Sequence, residues 1–135
     1  MSHFVLDASV LLARYFREPQ AAGALERLDA LDTSSAVVPG MWQLEILNGL
    51  LMGMRRGRLA RAQVDGFVAE LARLGVHVDR ETPDSERIVV LAQGHGLTAY
   101  DASYLELALR RALPLATLDK AMQQAARRAG VPLIA

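Results

Sequence analysis

No cysteine occurs anywhere in the chain, so neither a disulfide framework nor a thiolate metal site is open to it, and the absence accords with a reducing cytoplasm. An excess of one charge is missing as well. Fifteen Lys and Arg residues balance fifteen Asp and Glu, so no bulk field draws the chain to nucleic acid or anionic membrane, and such binding needs a local patch. Aromatic residues are scarce, 5% against 52% hydrophobic, which leaves Leu, Val and Ala to build the core in close-packed layers. Nowhere does an apolar run approach the roughly 18 residues a membrane span requires. The N-terminus shows no basic segment leading into a long apolar stretch. These absences predict a soluble, cytoplasmic protein with no membrane partner. Its 135 residues suit one domain, residues 1–135, that buries about two thirds of its unfolded surface.

What is present is an alternation of short apolar runs with amphipathic stretches. His3 to Leu6 is too short for a helix and reads as a buried strand ending at Asp7. Ser9 to Phe16 turns helical, Pro19 interrupts it, and Gln20 to Leu31 resumes with Ala21, Leu25, Leu28 and Leu31 at helical spacing. Ala36-Val37-Val38 is a second strand, stopped by Pro39-Gly40. The helix from Met41 to Met54 carries apolar residues round most of its circumference, including Trp42, Leu44, Ile46, Leu47, Leu50 and Leu51, which predicts protein on both sides of it. Further helices are expected from Ala62 to Leu74 with Gly75 as C-cap, from about Pro83 to Gly94, from Tyr100 to Ala112 and from Asp119 to Ala129. Val76 to Val78, Leu115 to Thr117 and Gly130 to Ile134 complete the strands. The alternation implies parallel strands joined by right-handed crossovers. The predicted class is therefore α/β, a three-layer α/β/α sandwich around a mainly parallel sheet of about five strands.

Four acids stand beside core elements: Asp7 closes the first strand, Glu45 sits in the Leu- and Met-rich helix, Asp101 opens an apolar helix, and Asp119 follows the fourth strand. In an open parallel sheet the functional crevice lies beyond the carboxyl ends of the strands, near the point where strand order reverses. Asp7 and Asp119 each sit just past such an end. Asp101 starts a helix entering the same layer, and Glu45 can reach over the same edge if its strand neighbours the first.

Each acid also has an ordinary explanation. Thr98 and Asp101 have capping-box spacing, Asp7 and Asp119 suit N-caps after strand-to-helix turns, and Glu45 could be a helix surface residue. What favours a shared pocket is the combination, because four independent caps have no reason to fall on one edge of one sheet. Close carboxylates repel and burial raises their pKa values, so such a pocket calls for protons or a cation. Oxygen ligands alone, with no Cys and no His among the four, favour Mg²⁺ or Mn²⁺ over Zn²⁺. Ser9 and Thr117 can offer hydroxyls to a ligand, to a water or to the carboxylates, or can serve as caps. Asn48, on the same helical face as Glu45, can touch a carboxylate or a substrate phosphate, or be a surface amide. His3, His77 and His95 have no partner spacing and are assigned no role.

Four stretches then carry a family resemblance: Phe4-Val5-Leu6-Asp7-Ala8-Ser9, Glu45-Ile46-Leu47-Asn48, Leu97-Thr98-Ala99-Tyr100-Asp101-Ala102-Ser103-Tyr104 and Ala116-Thr117-Leu118-Asp119. In sequence and spacing they resemble the four motifs of PIN-domain ribonucleases, specifically the small bacterial VapC-type toxins, across nearly the whole chain. Residues 57–95 add no motif. The resemblance implies a metal-dependent endoribonuclease in which Asp7, Glu45, Asp101 and Asp119 hold one or two Mg²⁺ or Mn²⁺ ions, with Ser9, Asn48 and Thr117 in support. It further implies that an activated water attacks the RNA phosphodiester to leave a 5′-phosphate and a 3′-hydroxyl. A cognate antitoxin protein covering the groove and a homodimer also follow from the resemblance. For the partner surface the sequence offers Met41, Met52 and Met54 with Trp42, although such residues are more often simply core.

Carboxylates repel RNA, so cations must hold the strand. Arg14 and Arg17, the cluster Arg55, Arg56, Arg58 and Arg61, and Arg110 with Arg111 are the candidates, against the plainer reading of solvated helix ends. Two other functions stay open: a PIN nuclease for RNA processing or DNA without a toxin role, and a catalytically inactive PIN-like binding module. A phosphoacceptor receiver domain fits poorly, since paired early acids are missing and the only lysine, Lys120, directly follows Asp119.

Overall fold

A computed structural model describes residues 3–134, Leu28 through its backbone alone. The apolar runs form five strands: β1 (Phe4–Leu6), β2 (Ala36–Val38), β3 (His77–Val78), β4 (Leu115–Ala116) and β5 (Leu133–Ile134). They pair in the order β3-β2-β1-β4-β5, every pairing parallel. Val5 is in register with Val37 on one side and Leu115 on the other. Central parallel strands must be apolar on both faces. Accordingly every residue of β1, β2 and β4 is buried.

Between the strands lie α1 (Ala8–Tyr15), α2 (Ala22–Leu28), α3 (Trp42–Arg55), α4 (Arg61–Leu71), α5 (Ser85–His95), α6 (Ala99–Arg111) and α7 (Lys120–Ala129). The chain steps outward from β1 to β2 and β3, then crosses back to β4 and on to β5. Right-handed crossovers therefore place α1 to α4 on one face and α5 to α7 on the other. The packing agrees, α1 and α4 against α3 on one side, α5 and α7 against α6 on the other. This is the expected three-layer α/β/α sandwich, and its strand order reverses between β1 and β4. Among the described residues no helix is long and apolar enough to cross a membrane.

Four local expectations need correction. The helix predicted from Gln20 to Leu31 is a 3₁₀ turn, Pro19–Ala21, followed by the shorter α2. Leu31 lies beyond the helix, and the burial predicted for Leu28 falls outside the described residues. The helix α4 stops at Leu71 with Ala72 as its C-cap, so Gly75 does not cap it; its positive φ of 69° serves the turn before β3. Protein on both sides of α3 is not found either. Trp42, Ile46, Leu50 and Gly53 are buried, but Leu44 is 68% and Leu51 41% exposed. A helix in an outer layer meets the sheet on one side only, and apolar periodicity cannot tell an exposed leucine from a covered one. For the same reason Trp42, read as part of a partner surface, belongs to the core.

Candidate active site

Asp7 follows β1 at the N-cap position of α1, 5% exposed, yet its side chain caps nothing. Instead its Oδ2 accepts two hydroxyls, Ser9 Oγ at 2.8 Å and Thr117 Oγ1 at 2.6 Å. Those hydroxyls are themselves held by the far strand edge, since Leu118 N–H donates to Ser9 Oγ and Asp119 N–H to Thr117 Oγ1, each at 3.1 Å. The carboxyl ends of β1 and β4 are thus stitched together at the point where strand order reverses. No donor among the described residues engages Oδ1 of Asp7.

Asp119 realises the capping reading, its Oδ1 accepting the N–H groups of Ala121 at 2.9 Å and Met122 at 3.4 Å. Its other oxygen has no such partner among the described residues. Thr98 caps α6 by accepting the Asp101 N–H at 3.1 Å, which sets the half-buried Asp101 carboxylate in the first turn. Glu45, in the first turn of α3, reaches across the sheet edge to α6, where Tyr104 Oη donates to its Oε1 at 2.5 Å. Tyr104 Oη also accepts the Ala8 N–H at 3.4 Å. Both hydrophobic layers therefore send an acid over the same edge.

The electrostatics tie the four together. Burial pushes the Asp7 carboxyl up, the Thr117 and Ser9 hydrogen bonds oppose this, and the charges of Asp101 and Asp119 push it further. Glu45 is raised by burial and by the charges of Asp7 and Asp101, against the Tyr104 hydrogen bond. Asp101 is raised by burial and by Asp119, against Thr98. Burial and the adjacent Asp7 and Glu45 carboxylates drive the Tyr104 phenol far upward, so it stays a donor at physiological pH. Among the described residues no three Asp, Glu, His or Cys side chains stand close enough to form a ready-made ligand cage. The donor set nevertheless fits a hard divalent cation: carboxylate oxygens without nitrogen or sulfur, mutually repelling and partly free of hydrogen bonds.

The remaining candidates are scattered. Asn48 is exposed one turn after Glu45. Arg14 and Arg17 lie at the far end of α1, about 10 Å or more along its axis from Asp7, and Arg55 and Arg56 end α3 about 15 Å from Glu45. Arg14 is paired with Asp29, and Arg17 holds a positive φ of 51° after α1. Arg58 stacks on Phe16 at 4.5 Å, and Arg61 pairs with Asp65. Arg110 and Arg111 are engaged by Asp79, and Arg110 also by Glu106 and Glu81.

Sequence reasoning missed three residues. Tyr104 stood within a quoted motif but was given no role. Arg80, at the carboxyl end of β3, lines a groove with Pro39, Gly40, Met41, Asp79 and Ser103 beside the start of α3. Lys120 opens α7 immediately after Asp119. For Arg80 and Lys120 the position after a strand was the available signal, outweighed by clustering of arginines, and for Tyr104 it was the spacing of one helical turn from Asp101.

Fold and edge together define a class: a parallel α/β sandwich that sets acids from four segments near its topological switch point, where two hydroxyls brace Asp7. The PIN domain family model matches residues 4–128, and the chain belongs to the PIN-domain family. Ribonuclease VapC3 of Pyrobaculum aerophilum is 32% identical over 127 residues, 89% of this chain and 92% of that protein. The crystal structure of FitAcB from Neisseria gonorrhoeae shares the fold with a TM-score of 0.67 at 19% identity, covering 98% of this chain and 96% of the other. A toxin–antitoxin complex from Klebsiella pneumoniae does so with a TM-score of 0.56 at 19% identity and 86% coverage of both chains.

Proposed function

We propose that this chain is a VapC-type toxin, an endoribonuclease that hydrolyses RNA phosphodiester bonds at the pocket of Asp7, Glu45, Asp101 and Asp119. The observation that carries this reading is the convergence at the β1/β4 edge: Thr117 and Ser9 brace Asp7, Tyr104 draws in Glu45, and the charges of neighbouring acids raise Asp7, Glu45 and Asp101. Similarity to Ribonuclease VapC3 supports RNA as the substrate. Mg²⁺ or Mn²⁺ is the proposed cofactor, held by the four carboxylates. When bound, such an ion supplies Lewis-acid charge that acidifies water for in-line attack and neutralises the leaving oxygen.

The chain's own groups then have distinct tasks. Ser9 and Thr117 stabilise ionised Asp7 through Oδ2, leaving Oδ1 for the cation. Asp119 keeps one oxygen on the α7 amides and offers the other. The exposed Arg80, after β3, and Lys120, at the start of α7, are the cations proposed to hold phosphates of the strand being cut. Arg14, Arg17, Arg55 and Arg56 would meet only the flanks of a longer RNA, and Asn48 would touch substrate rather than cation. A cognate antitoxin as inhibitory partner is supported by the fold shared with toxin–antitoxin structures. Action in the cytoplasm and as a homodimer completes the proposal.

The test is cleavage of a panel of structured RNAs by purified, antitoxin-free protein with Mg²⁺ or Mn²⁺, beside EDTA and the Asp101→Asn variant. Site-specific cuts that vanish in both controls are expected. Failure of well-folded, metal-replete protein to cut any RNA would favour an inactive PIN-like binding module instead.

A further inference from the structure

Tyr104 is fully buried, and a buried phenol must place its one polar atom on a partner. Its hydroxyl does so at the pocket, donating its single proton to Oε1 of Glu45 at 2.5 Å while accepting the Ala8 N–H at 3.4 Å. Ala8 directly follows Asp7, and Tyr104 lies one helical turn after Asp101 on α6. One hydroxyl therefore links the start of α1 and the first turn of α3 to the second turn of α6, on the elements where three of the four acids lie.

Glu45 needs such a tether more than its companions do. Asp7 is braced by two hydroxyls and Asp119 by two backbone amides, each through a short side chain. Glu45 has a longer side chain, its terminal torsion is intrinsically broad, and Leu44 beside it is open to solvent. Without the phenol its carboxylate would sample several orientations. With Oε1 held, Oε2 is presented in one.

We infer that Tyr104 is a positioning residue, whose hydroxyl orients the Glu45 carboxylate towards the cation. The assignment rests on the metal-nuclease reading of the pocket. Its test is Tyr104→Phe, which removes one oxygen from a ring that stays packed, combined with Glu45→Gln in a double-mutant cycle. Titration calorimetry with Mn²⁺ alone, without RNA, reads the effect. The expected results are an unchanged fold by circular dichroism, Mn²⁺ affinity weakened about tenfold, kcat lowered with KM for RNA retained, and no further loss when Tyr104→Phe is added to Glu45→Gln.

Wild-type Mn²⁺ affinity in Tyr104→Phe, or an equal additional loss in the Glu45→Gln background, would overturn the assignment. So would collapse of the Tyr104→Phe fold, because the hydroxyl would then be a stability group. Wild-type protein that neither binds Mn²⁺ nor cuts RNA would instead overturn the metal-nuclease reading, and this assignment with it.

Discussion

The hydroxyl of Thr117 donates to Oδ2 of Asp7 at 2.6 Å across 110 residues of sequence. This bond joins the carboxyl ends of β4 and β1 and stabilises the ionised form of a nearly buried carboxylate. Replacement by the isosteric valine keeps the packing and deletes the donor. Ser9 still donates to Oδ2, but the Asp119 N–H loses its Thr117 acceptor, so Thr117→Val is expected to lower stability by about 1–3 kcal/mol, the range for leaving a polar group unpaired, and to lower RNA cleavage about 10–100-fold. Urea unfolding and initial cleavage rates measure the two effects. Full activity in the variant would remove Thr117 from the site.

Asp7, Glu45 and Asp101 all have carboxyl pKa values raised above their ordinary 3.8 to 4.5. A raised acid binds its proton more tightly folded than unfolded. The metal-free pocket is therefore expected to gain stability as pH falls from neutral through the raised values towards the ordinary ones. Under the proposed metal-nuclease reading, Mn²⁺ is expected to relieve the same repulsion at neutral pH, with stabilisation of about 2.7 kcal/mol at a hundredfold excess over Kd. Protons compete with the cation, so this increment should shrink as pH falls. Thermal unfolding with and without Mn²⁺ across pH tests the linkage. An increment that held constant into acid would contradict it.

Arg110 contacts both Asp79 and Glu106 through paired hydrogen bonds of 2.6 to 3.4 Å, and both acids are buried. Removing the cation would strand the buried Glu106 carboxylate and leave Asp79 only its Arg111 contact, so Arg110→Ala is expected to cost about 3–5 kcal/mol. Burial alone would raise Asp79, but the Arg110 hydrogen bond and the charges of Arg110 and Arg111 hold it below 3.8. Its contribution is thus present above the ordinary carboxyl value and lost as pH falls through the depressed folded one, opposite in sign to the pocket acids. Comparing acid unfolding of wild type and Arg110→Ala isolates this part. An unchanged acid limb would count against it.

Ala112 ends α6 with φ at 54°, a left-handed conformation in which glycine avoids a Cβ penalty. Ala112→Gly is expected to stabilise by about 0.5–1 kcal/mol. Gly53 sets the contrary case, because a Cβ there would lie 2.5 Å from two ring atoms of Phe16. Gly53→Ala is expected to destabilise by about 1–3 kcal/mol through overpacking between α1 and α3. Denaturant midpoints for the two variants should move in opposite directions, and a shared direction would refute the argument.

Much of this architecture was legible in the sequence because buried parallel strands announce themselves as short apolar runs. Phe4 to Leu6 and Ala36 to Val38 needed only local reading, whereas between them spacing found α1 but overran α2, which is shorter and preceded by a 3₁₀ turn. Element ends were less legible: α4 stops three residues before its expected end, where backbone hydrogen bonding rather than hydrophobicity decides. The four acids could be placed at strand and helix starts. Which of them cap could not, since Asp7 and Asp119 occupy equivalent N-cap positions and only Asp119 uses its side chain there.

By itself the sequence determined the strand and helix alternation, the α/β class and the segments that bear the acids, all consequences of local composition and period. Tertiary structure alone decided the order β3-β2-β1-β4-β5, the convergence of two hydroxyls on one oxygen of Asp7, the bond from Tyr104 to Glu45 and the exposure of Leu44. The physical reason is range. Periodicity records how neighbouring residues share a backbone, whereas these relationships bring together groups as much as 110 residues apart or depend on which layer covers a helix.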